Sequence, residues 1–175
     1  MQQVAPPVAG EWGQLVAAGA RLADLHLHYE QAALYPLQMV PTAMPVQWRV
    51  GKGMKLDRER GTITYNEPLR LEGVPADALA YRLGNRSALE WIIDQYQVYQ
   101  DPRSGITSDP NQPGNERAIV ELMQRVITVS LATVRLEREL AAVRLAMMAS
   151  GRCGRAGWRE SGRCSKRVGN EGAVR

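Results

Sequence analysis

The stretch Tyr81–Val98, YRLGNRSALEWIIDQYQV, constrains the fold more than any other part of the chain. Ser87 and Glu90 stand in the S-x-x-E spacing of a capping box, in which each side chain satisfies a free backbone N–H at a helix start. Leu89, Ile92, Ile93 and Tyr96 then recur at helical spacing and form one apolar face, with Trp91 at its edge. Just upstream, Pro75 suits the first turn of a helix, and Gly84 suits a left-handed helix end. The pattern therefore predicts two helices, at about 76–83 and 87–99, with Asn85 and Arg86 in the tight link between them.

The segment before this pair reads as β structure. Val46–Val50 (VQWRV) alternates, Met54–Leu56 and Thr62–Tyr65 flank a turn at Asp57–Gly61, and Leu69–Leu71 follows Asn66-Glu67-Pro68. Such short connections require antiparallel pairing, because parallel strands need a crossover of a dozen or more residues. Pro36, Pro41 and Pro45 predict an extended connection before these strands. Leu22, Leu25 and Tyr29 mark a helix whose firm part is 20–32, since Gly13 and Gly19 weaken its first half and leave 1–19 as an irregular lead-in. Residues 101–114 read as a loop, and Ile119, Leu122, Met123, Val126 and Ile127 begin a long helix at about 115–150. The expected fold is α+β: a small antiparallel sheet at about 46–72, packed by helices at about 20–32, 76–83, 87–99 and 115–150. A chain of 175 residues accommodates this as one domain, 20–150.

The net charge of +4 is unevenly spread. Residues 151–175 hold seven basic and two acidic residues, a net of +5, whereas residues 1–150 hold 15 basic and 16 acidic, a net of −1. With six glycines and almost no aliphatic residues, the tail reads as a disordered basic segment. Its abrupt change of composition fits either a nucleic-acid-binding arm or a shifted or truncated reading frame. Cys153 and Cys164 both lie there and read as free thiols, two being too few for a zinc site. The start lacks a basic, then apolar leader, and no run approaches the ~18–20 apolar residues of a membrane span. A soluble cytoplasmic chain with no membrane partner is expected.

Catalytic signatures are missing from the sequence. It has no Walker A motif, no DEAD or DEAH box, and no D/N-P-P-Y/F of an amino-methyltransferase. None of Lys52, Lys55 and Lys166 follows an acidic residue at the spacing of a PD-(D/E)xK nuclease. His26 and His28 would point about 200° apart on a helix and cannot share a metal; His26 and Glu30 could form an exposed pair. The GKGMKL run lacks the third glycine of a dinucleotide site and the GK[ST] of a phosphate loop, and reads as a turn. Asp101, Asp109 and Asn111 miss the alternating calcium-ligand pattern and read as capping and turn residues. No cofactor is expected, and the domain does not read as an enzyme in its own right. The remaining feature is basic: Arg49, Lys52, Lys55, Arg58 and Arg60 surround Trp48, Asp57 and Glu59. A β ribbon carrying such side chains can enter a DNA groove or line phosphates; the plainer alternative is a solvated sheet face.

Five blocks in order carry a family resemblance: LADLHLHYE (22–30) with YPL (35–37), ITYNEPLRLEGVP (63–75), YRLGNRSALEWIIDQYQV (81–98), SGITSDPN (104–111) and RVITVSLATV (125–134). Over roughly 20–137 the chain resembles the C-terminal specificity region of type ISP restriction–modification enzymes and their helicase-like relatives. That family joins a nuclease, an ATP-dependent helicase-like motor, an adenine-N6 methyltransferase and a target-recognition domain in one polypeptide. The resemblance implies only the last of these parts. It would read double-stranded DNA and direct methylation and cleavage performed by the other modules. No family catalytic residue has a counterpart here, and the match ends near Glu137, as expected of a fragment. The expected DNA-binding residues, from charge and position, are Arg49, Lys52, Lys55, Arg58, Arg60, Asn85 and Arg86. The rival reading is a protein-interaction module that docks on a methyltransferase or helicase-like motor through its helical surfaces.

Overall fold

Alternation builds the sheet. Ile63, Tyr65, Leu69 and Leu71 are buried, while Thr64 and Arg70 between them are exposed, so one face of strands β3 (Thr62–Asn66) and β4 (Leu69–Glu72) turns inward. The computed structural model describes residues 9–149. With β1 (Gln38–Pro41) and β2 (Lys55–Asp57), these strands form one antiparallel sheet in the order β1-β4-β3-β2. The turn from β2 to β3 closes on Gly61, whose φ of +62° and close approach exclude a side chain: a Cβ there would lie 2.5 Å from the Val74 carbonyl oxygen. The Gly61 carbonyl in turn accepts from the Val74 N–H at 2.9 Å.

Helix α1 (Ala9–Leu27) lies against helix α3 (Ala118–Ala149), and helix α2 (Ala88–Gln95) packs between α3 and the sheet. Leu89, Val120, Met123 and Ile127 interlock with Ile63, Leu71 and Tyr65 in one core. Each such side chain contributes about 1.5–3 kcal/mol by leaving water. Polar side chains of α3 also hold the chain that follows α1: Gln124 Nε2 donates to the Tyr35 carbonyl at 2.7 Å and Thr128 Oγ1 to that of Ala33 at 2.8 Å. The α+β class and the antiparallel sheet are as expected.

Several boundaries differ from the sequence reading. Helix α1 begins at Ala9, inside the stretch expected to be irregular, and ends at Leu27; a single 3-10 turn (Tyr29–Gln31) follows. Frequent alanine offsets its three glycines, Gly10, Gly13 and Gly19, each of which costs only ~1 kcal/mol in a helix. The proline-rich connection supplies β1, which is possible because β1 is an edge strand and Pro41 closes it. Conversely, Val46–Val50 forms no strand. Its backbone groups are taken by distant side chains: Tyr65 Oη donates to the Trp48 carbonyl (2.7 Å), and Asn66 Nδ2 to those of Gln47 and Arg49 (2.7 and 2.9 Å). Asn111 brackets Val50, accepting from its N–H at 2.8 Å and donating to its carbonyl at 3.0 Å.

The helix expected at 76–83 is a 3-10 turn, Ala76–Leu79, followed by a β-hairpin of β5 (Arg82–Leu83) and β6 (Arg86–Ser87). Gly84 has the expected positive φ, +72°, but it serves a two-residue Gly-Asn hairpin turn rather than a helix end. Helix α2 starts where the capping box set it, with Ser87 accepting from the Glu90 N–H and Glu90 accepting from the Ser87 N–H at 2.8 Å. It stops at Gln95, short of 99, and Tyr99–Gln100 (β7) pairs with Thr107–Ser108 (β8) inside the expected loop. The long helix starts at Ala118 rather than 115. The tail at 151–175 and both cysteines lie outside the described residues.

Candidate nucleic-acid interface

The turn after β2 and the capped start of α2 bring three of the seven predicted residues together. Lys55, Arg58 and Arg86 line an open cleft of about 410 Å³ between β2 and α2, floored by Met54, Leu56 and Ile93. Two carboxylates share it. Glu90 pairs with Arg58, and Asp94, one helical turn further, pairs with Arg86. Arg86 also lies over the Trp91 ring, 5.7 Å from its centroid, and Trp91 Nε1 donates to the Leu83 carbonyl at 3.1 Å. The hairpin, the helix start and the two arginines thus form one ordered unit.

Glu90 has two roles in it. Partial burial pushes its carboxyl up, but the Ser87 backbone N–H, Arg58 and the Ser87 hydroxyl outweigh that and hold it below the usual glutamate range. The carboxylate that caps α2 therefore also positions Arg58. Lys55 has no carboxylate within 4 Å among the described residues, so its ammonium is open to an anion.

The other four predicted residues lie apart from the cleft lining. Arg49 is tied to Asp109 of the 101–117 segment. Asp109 is held below its usual range by the backbone and side chain of Asn111 and by Arg49. Lys52 is exposed between Gly51 and Gly53, and Arg60 sits in the β2–β3 turn with its Nε 3.7 Å from Asp57. Asn85 occupies the hairpin turn, where its carbonyl accepts from Arg82. Arg117, which the sequence reading passed over, places its guanidinium 4.1 Å from the centroid of the Trp48 ring. Its distance from Trp48 in sequence left no local signal.

The remaining polar residues act structurally. Asp101 accepts from Arg103 N–H (2.8 Å) and Ser104 Oγ (3.0 Å), and Asp109 accepts from Asn111 N–H (2.9 Å), which are the turn roles expected of them. His26 bonds to Tyr81 Oη at 3.0 Å rather than to Glu30, and His28 pairs with Asp24 at 2.9 Å. Among the described residues no group of three His, Cys, Asp or Glu side chains is placed to hold a metal, and no helix is long and apolar enough to cross a membrane.

The family model for the type ISP C-terminal specificity domain matches residues 6–125, more than half of the chain. The chain belongs to that family. Among solved structures, a segment of the type ISP restriction–modification enzyme LlaGI, as a nuclease-deletion mutant in complex with a DNA substrate mimic, is 40% identical over 73% of this chain, with a TM-score of 0.63. The ATP-dependent type ISP enzyme LlaBIII bound to DNA gives 39% identity over 73% and a TM-score of 0.65. A DrdV–DNA complex gives 30% over 76% and a TM-score of 0.61. The chain covers only 12%, 8% and 14% of those three chains. The comparison with curated proteins returned no match. The specificity domain is thus one small part of much longer relatives.

Proposed function

We propose that the chain is the DNA-reading part of a type ISP restriction–modification system. It grips duplex DNA with the β2–α2 side and leaves adenine-N6 methylation and ATP-driven cleavage to other modules. The observation that carries this reading is the 39–40% identity to the matching segments of two enzymes whose structures were solved with DNA or a DNA mimic. The cleft supports it chemically. Arg58 and Arg86 present guanidinium groups already oriented by Glu90 and Asp94, and Lys55 adds a point charge. Ordered guanidinium groups suit bidentate contact with guanine or with phosphate. Arg49, Lys52, Arg60 and Asn85 are assigned to flanking contacts on the same DNA. The partner modules are a methyltransferase and a helicase-like motor, and a cytoplasmic location follows from the reading.

Selection from a randomised duplex pool, followed by fluorescence anisotropy, tests it. The expected result is one enriched sequence, bound about 10³-fold or more tighter than a shuffled duplex. Arg58→Ala with Arg86→Ala should abolish that preference. Equal affinity for every duplex, or no binding at low salt, overturns the reading.

A further inference from the structure

The outer face of the sheet carries a cation that the cleft does not account for. Lys55 of β2 stands opposite Thr64 of β3, and Thr64 stands opposite Arg70 of β4. The row behind them, Leu56, Ile63 and Leu71, faces the core, with Ile63 and Leu71 wholly buried. Alternation therefore sends Lys55, Thr64 and Arg70 to the same outward side, and all three are exposed. At a strand spacing of about 4.8 Å, the two cations are rooted about 10 Å apart, with a hydroxyl between them. Duplex DNA carries a phosphate at every ~3.4 Å of axis rise on each strand, and more widely spaced along the winding backbone, so such a row can reach neighbouring phosphates of one strand.

The adjoining outward row, Asp57–Thr62–Glu72, holds two carboxylates, yet neither is paired with Lys55 or Arg70. Among the described residues Arg70 has no carboxylate within 4 Å, although Glu72 lies two residues along on the same face. Asp57, the acidic neighbour on the Lys55 side, is already engaged: it accepts from the N–H groups of Glu59 and Arg60, both at 3.1 Å, and faces the Arg60 side chain. Lys55 also lines the cleft, which joins the row to Arg58 and Arg86.

We propose that the DNA-binding surface continues from the cleft onto the outer face of the sheet, and that Arg70 holds the phosphodiester backbone there. This rests on the DNA-reading assignment. Arg70 would position the duplex so that the cleft meets its bases, and would itself carry no sequence preference.

The full chain, titrated with labelled duplexes of preferred and shuffled sequence at several salt concentrations, tests this. Arg70→Ala should weaken both duplexes equally, about 5–10-fold, and reduce the slope of log K against log salt by about 1. Arg70→Lys should restore the slope, since a phosphate contact needs charge more than shape. Arg135→Ala, an exposed arginine of α3, is the charge-matched control and should leave the slope unchanged. Unchanged melting temperatures would show that the variants fold. An unchanged slope for Arg70→Ala alongside a changed slope for Lys55→Ala overturns the role of Arg70 alone. So does an equal loss in Arg135→Ala, which marks a bulk charge effect, or a loss confined to the preferred duplex, which marks a base contact. Absence of binding by the unaltered chain overturns the DNA-reading assignment and this inference with it.

Discussion

Two arginine-bearing segments are held in opposite ways. Arg82–Asp94 is organised by neighbours in sequence: a two-residue hairpin turn, the Ser87–Glu90 box, and pairing of Arg86 with Asp94 eight residues on. Val46–Gly51 is organised almost wholly from afar. Its backbone is pinned by Tyr65 and Asn66, seventeen to nineteen residues away, by Asn111, sixty-one residues away, and by the Val98 N–H to the Gly51 carbonyl. The contacts that shape the first segment lie within thirteen residues of sequence, whereas those that shape the second join parts of the chain up to sixty-one residues apart. Arginines in both are presented by carboxylates, so the same surface chemistry is reached by two routes.

The largest expected effect separates the routes at high pH. Burial pushes the Tyr65 hydroxyl up to about 12, and that hydroxyl donates to the Trp48 carbonyl. The folded state therefore keeps a proton that the unfolded state releases near 10. The stability it contributes is complete below pH 10 and is lost as pH rises toward 12, by about 2–3 kcal/mol. Chemical denaturation between pH 9 and 12 should show this fall, and Tyr65→Phe should remove that part of it while lowering stability by about 1 kcal/mol at neutral pH.

Asn111→Ala comes next. It leaves the N–H and carbonyl of Val50, a residue only 2% exposed, without their side-chain partners. The expected cost is about 2 kcal/mol, read as a melting temperature lower by about 6 °C. Exchange of backbone hydrogens should quicken at 46–51 while α2 stays protected. Equal loosening of α2 would show that the two segments are not independently held.

Ser87→Ala is the reciprocal change, removing the N-cap of α2 at a cost of about 1 kcal/mol and loosening 86–91 with little effect on 46–51. Ser130→Ala is expected to act in the opposite direction. The Ser130 hydroxyl is fully buried on α3 and has no hydrogen-bond partner among the described residues, beside an apolar pocket lined by Tyr81, Trp91 and Val129. Its removal should raise stability by about 1 kcal/mol, measured by thermal denaturation.

The same contrast explains what could be read from sequence. The start of α2, its apolar face and the place of Trp91 at the edge follow from residues within one or two turns of each other, and the structure keeps all three. Val46–Val50 alternates like a strand, yet the partners of its backbone are side chains of Asn66 and Asn111, which no local pattern identifies. Gly84-Asn85 was a legible hairpin signal that the nearby proline and the expectation of a helix concealed. The basic cluster was legible as composition. Its division into a cleft of Lys55, Arg58 and Arg86 and outlying Arg49, Lys52, Arg60 and Asn85 depends on how β2 meets α2. Family membership was legible through the five ordered blocks, and the family match over residues 6–125 agrees with it.

Hydrogen exchange of the full chain with and without its selected duplex is the most direct test of the central claim, that the β2–α2 side faces DNA. Protection is predicted to rise at 52–60 and 82–90, with the α1 surface and the α3 segment 132–142 unchanged. Protection confined to α1 and α3, with 52–60 and 82–90 exchanging as in the free chain, would contradict it.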